Sequence, residues 1–465
     1  MTMTNRHNQK RDSFILYTLE ELVPQDHLVR KIESCIDFSF IYPKVEGLYS
    51  SIGRPSIDPV VLFKMLFINI IFGINSMRKT CEEIKVNIAY RWFLGLNISE
   101  TIPNYSTWSQ NYIRRYGDSK IFEEIFEEIL NRAIRKGFVS LETVYGDSTH
   151  QKANANKRKS FNEEVKIVKK KYEDDLLKEI NEDRECIGKK TYESMTKIEY
   201  SYDEETGKLK ENKNTKSVKK SKVDPESGCF HKGAEKEKCF AYSHQTFCDR
   251  KGFVLEVKTV PGNVHDSVSF FDAYEELNQK YGKSIKNISL DAGYVTPAIC
   301  REIYKNEQTP YMPYKRPMTK KEFLKKYEYV YDEYYDFYIC PNNKTLSYTT
   351  TTKEGYRQYK SEAKECRECP LREKCTKSKN CVKVINRHLW EEYKEKADEE
   401  RYTEKWKEIY PKRKETIERV FADCKEHNGL RFTRLKGLKK NQNNAWFIFA
   451  CHNLKRMALW SWKPA

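Results

Sequence analysis

Apolar side chains between residues 12 and 136 recur every three to four positions, the spacing of helices that bury one face. Asp58 as N-cap followed by Pro59 at the first helical position opens one helix, Ser76 or Asn75 the next, and Ser106 another. The series Ile121, Phe122, Ile125, Phe126, Ile129, Leu130 continues at helical spacing until Gly137. The most apolar stretch, Val60 to Phe72, is broken by Lys64 and Asn69 and falls short of the ~20 residues a membrane crossing needs, so it reads as a buried helix and no membrane partner is expected. Arg78, Lys79, Lys85, Arg91, Arg114 and Arg115 fall on the polar sides of these helices and suit a helix seated in a DNA groove, with a dimerisation or purely structural bundle as the alternative.

Beyond residue 139 the period changes. A short apolar rise, Leu141 to Tyr145, reads as a strand ending at Asp147. Residues 160–236 are rich in Lys and Glu; Phe161, Val165, Val168, Tyr172, Leu176 and Ile180 support one amphipathic arm, and beyond Tyr202 a solvated loop is expected. Two strands follow over 238–260 with a turn at Asp249 to Gly252. A helix capped by Asp266 or Ser267 then runs to Tyr281, and Ile285 to Leu290 forms a strand ending at Asp291. Thr296 and Pro297 start a helix to Asn306, and a short strand lies near Thr309 to Pro313. A strand, a hairpin, then alternating helices and strands is the order of a ribonuclease H-like mixed sheet. The expected fold is therefore α/β: an all-helical domain over 1–138, then a ribonuclease H-like domain over 139–465 carrying the charged insertion 160–236 and a Cys-rich insertion 318–390.

Three carboxylates stand out from the 68 Asp and Glu by their settings: Asp147 in VYGDSTH, Asp291 in ISLDAGY and Glu418 in ETIERVFADCK. On a helical wheel, Ile417, Val420, Phe421 and Cys424 form a core stripe, and Glu418 sits on its flank with Lys414 and Lys425. Two strand-borne aspartates and one helix-borne glutamate would make an oxygen-only cage suited to two Mg²⁺ or Mn²⁺ ions, the arrangement that phosphodiester chemistry uses. His150 and His265 are discounted as ligands because a hard cation prefers oxygen.

Lys and Arg exceed acids by 85 to 68, a net charge of +17, so a polyanion is the natural partner. Aromatic residues at 13% argue for a folded chain. Fourteen cysteines without an export signal suggest an intracellular protein with thiols or a metal site before disulfides. Cys340, Cys366, Cys369 and Cys375 fit a structural Zn²⁺ site, with Cys381 a rival fourth ligand and unmetallated thiols the alternative. Near the C-terminus Arg431, Arg434, Lys436, Lys439 and Lys440 precede the apolar stretch Ala445 to Leu454 and suit phosphate contacts, or a solvated helix end.

Taken together, GRPSIDPVVLFKMLF, GDSTHQKANANK, CFAYSHQTFCDRKGFV followed by PGNVHDS, DAGY, IERVFADCKEHNGLRFTRLKGL and CHNLKRMA resemble, in order and spacing, the DDE transposases of bacterial insertion sequences, most of all the branch called insertion sequence eleven-eighty-two. The resemblance spans nearly the whole chain. It implies that Asp147, Asp291 and Glu418 are the family's metal-binding acids, that double-stranded DNA (terminal inverted repeats and target) is the partner, and that the chain works as a homodimer in the cytoplasm at the nucleoid. The family's Tyr-x2-Arg-x3-Glu-x6-Lys signature matches at Glu418 and Lys425. Upstream it departs: Tyr410 and Arg413 lie one residue too early, and Lys414 occupies the arginine's place, a DNA contact without bidentate geometry. A silent DNA-binding descendant and a nuclease that cuts without joining are the rival readings.

Overall fold

The computed structural model describes residues 16–53, 55–166, 170–195, 199–202, 209–212, 215–231, 238–316 and 321–462. Residues 1–15 of the expected helical region, Arg54 in its GRPS segment, Val168 of the expected arm and parts of both insertions lie outside the described residues. The chain is mixed α/β and divides into two units, Met1–Phe138 with Ala422–Arg431 and Gln442–Ala465, and Val139–Phe421 with Phe432–Asn441.

The first unit is helical. Its centre is Pro59–Ile71, where the Asp58 carboxylate accepts from the Val60 amide at 2.7 Å. Phe63 and Phe67 on this helix are fully buried and meet Phe447 at ring separations of 6.3 and 4.5 Å. The two polar interruptions of the apolar run are explained by their partners. Lys64 donates to Glu33 at 2.8 Å and to the Phe93 carbonyl at 2.9 Å, and Asn69 donates to Ile74 O and Thr80 Oγ1, both at 2.8 Å. Among the described residues no helix is long and apolar enough to cross a membrane. Two sequence expectations change here. The helix Tyr105–Asn111 is capped by Asn104, whose side chain accepts from the amide of Ser106, so Ser106 is inside the helix. Arg91 is buried, donating to the carbonyl of Asn97 at 2.7 Å, and so leaves the expected set of groove-facing cations.

Among the described residues of the second unit ten strands come first: β1 (Thr143–Lys152), β2 (Ser160–Lys166), β3 (Glu199–Tyr202), β4 (Leu209–Asn212), β5 (Thr215–Ser221), β6 (Gly228–Phe230), β7 (Cys239–Asp249), β8 (Val254–Pro261), β9 (Asn287–Ser289) and β10 (Thr309–Tyr311). β1 is the hub. It runs antiparallel to β7 over its full described pairing, Val144 to Lys152, and parallel to β9 only from Thr143 to Tyr145. β8 pairs with β7 and β10 with β9, giving the path β8-β7-β1-β9-β10, antiparallel on one side of β1 and parallel on the other.

Asp147 is therefore inside β1 and not at its end as its polar followers suggest. The run Ser148 to Lys152 stays in the sheet because β7 supplies a partner for every residue, regardless of side-chain polarity. The strand neighbour that does stop short is β9. The charged insertion also departs from the expected loop beyond Tyr202. β3 pairs with β4, while β5 pairs with β2 and with β6, and β6 joins β7, extending the main sheet. Backbone pairing with distant partners holds these Lys- and Glu-rich strands, and local apolar content gives no sign of it.

A separate five-stranded antiparallel sheet occupies the Cys-rich region: β11 (Val330–Asp332), β12 (Phe337–Ile339), β13 (Thr345–Thr351), β14 (Tyr356–Ser361) and β15 (Val384–His388). Tyr329, Tyr338, Leu346, Tyr359 and Ile385 form its core.

Gly146, next to Asp147, has no room for a side chain: a Cβ there would stand 2.6 Å from both Leu290 and Phe247. Alternation along the strand turns position 146 into this packing and Asp147 to the opposite face. Gly146→Ala is expected to destabilise the protein by about 1–3 kcal/mol through overpacking. A urea midpoint unchanged from wild type would show that the packing yields freely.

Candidate active site

Because β9 pairs with β1 only as far as Tyr145, the carboxylate two residues further along emerges just past the parallel contact. Asp291 follows Ser289, the last residue of β9, by two positions, so both aspartates leave adjacent parallel strands in the same direction. Asp147 Oδ1 accepts from the Ser148 amide at 2.8 Å, and Oδ2 accepts from Arg413 Nη2 at 2.9 Å. Arg413 Nη1 donates to the carbonyls of Gly146 at 2.8 Å and Ser289 at 2.9 Å, so one guanidinium spans β1 and β9. Asp291 caps a short 3-10 turn, Ala292–Tyr294, with Oδ1 accepting from the Gly293 amide at 2.8 Å.

Glu418 lies exposed in the first turn of the helix Ile417–His427, whose Ile417, Val420, Phe421 and Cys424 are all buried as the helical wheel requires. The Tyr410 ring lies within electrostatic reach of Glu418 and both aspartates. Burial raises its phenol, Arg413 pulls it back, and Asp291, Glu418 and Asp147 each push it up, so all three carboxylates act on one ring. Burial is also the main reason that the Asp147 carboxyl is pushed up to about 6; Arg413 and the Ser148 amide oppose it, while Asp291 and Asp266 reinforce it.

Two residues of this site escape a reading of the sequence. Arg413, and not Lys414, reaches Asp147: Arg413 is 4% exposed, whereas Lys414 is exposed. Counting back at α-helical spacing from Glu418 lands on Lys414, but Tyr410–Lys414 is a 3-10 segment and Glu415 and Thr416 intervene before the α-helix starts. The Tyr410–Arg413 pair keeps its own spacing and is displaced as a unit. Asp266 is the second. It accepts from Ser148 Oγ at 2.6 Å, which places a fourth carboxylate one hydrogen bond from the residue beside Asp147. The two histidines have other work: His265, and not Asp266 or Ser267, caps the helix Asp266–Tyr281, and His150 stacks on Phe230 with ring centres 3.7 Å apart.

The remaining sequence candidates are placed as follows. Lys425 is partly buried further along the Glu418 helix, Arg431 pairs with Glu426, and Arg434, Lys436 and Lys439 are exposed. Cys340 sits in the β12–β13 turn, its Sγ accepting from the Lys344 amide at 3.4 Å. From the same turn Asn342 Nδ2 donates to Cys369 Sγ at 3.6 Å. Burial raises the Cys375 thiol, with Tyr329 and Lys383 opposing and Cys366 and Cys340 adding to the rise. Cys381 is buried, its Sγ donating to the Lys379 carbonyl at 3.8 Å. Among the described residues no group of three or more His, Cys, Asp or Glu is arranged to hold a metal ion, for the carboxylates or the thiols. The donor sets themselves fit: oxygen alone for a hard divalent cation, thiolate alone for zinc.

Comparison with known families gives two matches. The model described as "Transposase domain (DUF772)" matches residues 17–114, within the helical unit. The model described as "Transposase DDE domain" matches residues 339–458, which include Glu418 and the four cysteines. No curated protein matches the chain. Two transposase models matching separate stretches of one chain support its placement in an insertion-sequence transposase family and a transposase function.

Proposed function

We propose that this protein is a DDE-type transposase of the insertion sequence eleven-eighty-two branch, cutting DNA strands at the element ends and joining the freed 3′ ends to target DNA as a homodimer. Its catalytic domain is proposed to be ribonuclease H-like, which the strand path β8-β7-β1-β9-β10 supports. The observation that carries the reading is the Arg413 bridge. It clamps the two strands that deliver Asp147 and Asp291, from a position five residues ahead of Glu418.

In this reading Asp147, Asp291 and Glu418 hold two Mg²⁺ or Mn²⁺ ions, which when bound supply activation of water or a 3′-hydroxyl and stabilisation of the leaving oxygen. Arg413 fixes the direction of the Asp147 carboxylate and balances its charge before substrate binds. Lys414, in the 3-10 segment ahead of Glu418, and Lys425, further along its helix, meet phosphates as point charges, and Arg431, Arg434, Lys436 and Lys439 extend those contacts.

Asp147→Asn, Asp291→Asn and Glu418→Gln are each expected to lower Mg²⁺-dependent cleavage by at least ~10³-fold while DNA affinity stays within a few fold. A variant that still cuts removes that residue from the cage. Nicked DNA with no joined product in a strand-transfer assay would point to a nuclease, and DNA binding without any cut to a silent regulator.

A cation can bind only the ionised Asp147. Since the carboxyl is pushed up to about 6, Mn²⁺ affinity should be flat above neutrality and fall about tenfold per pH unit below that value. The same upward shift means that, in metal-free protein, the stability Asp147 lends when protonated is present at acid pH and lost as pH rises through about 6. Titration calorimetry at pH 5 and 8 checks the first; equal affinities would show an ordinary aspartate.

Cys340, Cys366, Cys369 and Cys375 are proposed as a structural zinc site at the end of the five-stranded sheet. Purified protein should carry about one equivalent of zinc, lost in Cys366→Ser or Cys369→Ser together with a lower melting temperature. Metal-free protein that melts where wild type does would end the assignment.

A further inference from the structure

The charged insertion builds a second feature of the catalytic unit, at the far end of β1. There the chain beyond Lys152 turns through residues 153–159 into β2, and the segment 432–441 is laced across it. The Thr433 amide donates to the Lys152 carbonyl at 2.9 Å, and Asn154 Nδ2 to the Arg434 carbonyl at 3.5 Å. The Lys222 amide donates to the Lys159 carbonyl at 2.9 Å. Beneath lies a small core of Ala153, Phe240 and Tyr242, with Leu438 packed against it.

The key fastening is Asp224, 1% exposed, from the turn between β5 and β6. Its carboxylate accepts from the Tyr242 hydroxyl at 2.8 and 2.9 Å and from the Gly437 amide at 3.1 Å. Exposed Glu226 accepts from the Leu438 amide at 2.6 Å. Both acids are occupied in holding the 432–441 segment, and Gly228, where a Cβ would lie 2.3 Å from the Asn263 amide nitrogen, closes the junction beneath them. A buried carboxylate satisfied by a hydroxyl and a backbone amide is a built feature, at odds with a loop that merely keeps its charges in water.

What this scaffold presents is basic. Lys152, Arg158, Lys159, Lys222, Arg434 and Lys436 are all exposed, and among the described residues none of their side chains enters an ion pair. Three of them come from the insertion side and two from the segment it pins, with Lys152 at the end of β1. We infer that this surface is a platform for the phosphate backbone of duplex DNA, built by the insertion and held rigid by Asp224. Its register follows from the strand. Lys152 lies five residues beyond Asp147 on β1, about 17 Å at ~3.4 Å per residue. That is about five nucleotide steps along one DNA strand at ~3.4 Å each. Successive side chains alternate, so Lys152 stands on the face of the sheet opposite Asp147 and the interval is one of position along the strand. This register rests on the transposase reading; the platform's affinity for DNA does not.

The test is binding alone, on the full chain, with a 30-base-pair duplex of arbitrary sequence followed by fluorescence anisotropy across a salt series. The triple variant Lys159→Glu, Lys222→Glu, Lys436→Glu is expected to bind at least ~10-fold more weakly at physiological salt, and the slope of log affinity against log salt should flatten by about 0.9 for each phosphate that is no longer neutralised. Should the glutamates lower the melting temperature, the corresponding Gln variants read the same slope at smaller perturbation. Asp224→Asn, which retains an acceptor but loses the charge, is expected to weaken DNA binding by lowering platform rigidity, with the slope unchanged. Wild-type affinity and slope in both triple variants would overturn the platform. Absence of cleavage by the wild-type chain, with the binding results as expected, would sink the transposase reading and leave the platform standing.

Discussion

The guanidinium of Arg413 joins three stretches of chain that lie far apart in sequence: the middle of β1, the end of β9, and the turn leading into the Glu418 helix. Neither Arg413 nor Asp147 would tolerate its position alone. A cation 4% exposed and a carboxylate whose side chain is 20% exposed each carry a large desolvation penalty, and each is the other's compensation. The two carbonyls matter as much as the ion pair, because they occupy donors that the carboxylate leaves over and so fix the plane of the guanidinium. A lysine would offer charge at this point but not the planar fork that reaches two strands at once. Any cation entering between Asp147 and Asp291 meets a carboxylate already held in direction by this fork.

Much of this arrangement is visible in the sequence where local rules suffice. The Asp58-Pro59 helix start, the hairpin of β7 and β8, the helix opened by Thr296-Pro297 and the buried stripe of Ile417, Val420, Phe421 and Cys424 each depend on residues within a turn or two. Features set by distant partners are hidden. Nothing near Ser148 to Lys152 announces that β7 will keep these polar residues in the sheet, and nothing in the Lys-rich run of β5 announces its pairing with β2. Arg413 is hidden for a different reason. A helical wheel assumes one period, and a stretch of 3-10 helix followed by two linking residues shifts everything before it by a fraction of a turn.

The insertion illustrates how a charge-rich sequence can conceal a specific structure. Its apolar content is too low to predict a core, yet it contributes Asp224, whose burial makes sense only with Tyr242 and Gly437 already in place. Such a residue is invisible to periodicity because its partners lie 18 and 213 positions away. Charge in this segment is divided by task. Asp224 and Glu226 bond to the backbone of 432–441, and Lys220 pairs with Glu163 across β5 and β2, while Arg158, Lys159 and Lys222 stay exposed.

β1 ties the two halves of the proposed chemistry together by covalent geometry. Asp147 and Lys152 share one strand that is paired to β7 at every intervening residue, so their separation is set by the rise of extended backbone and not by a hinge or a loop. The interval between the two positions is therefore fixed, although alternation turns the two side chains to opposite faces of the sheet. Sites built on strands hold their spacing more tightly than sites built on loops. In a chain of net charge +17, β1 thus sets a fixed distance between an exposed cation, Lys152, and the half-buried carboxylate that Arg413 holds in direction.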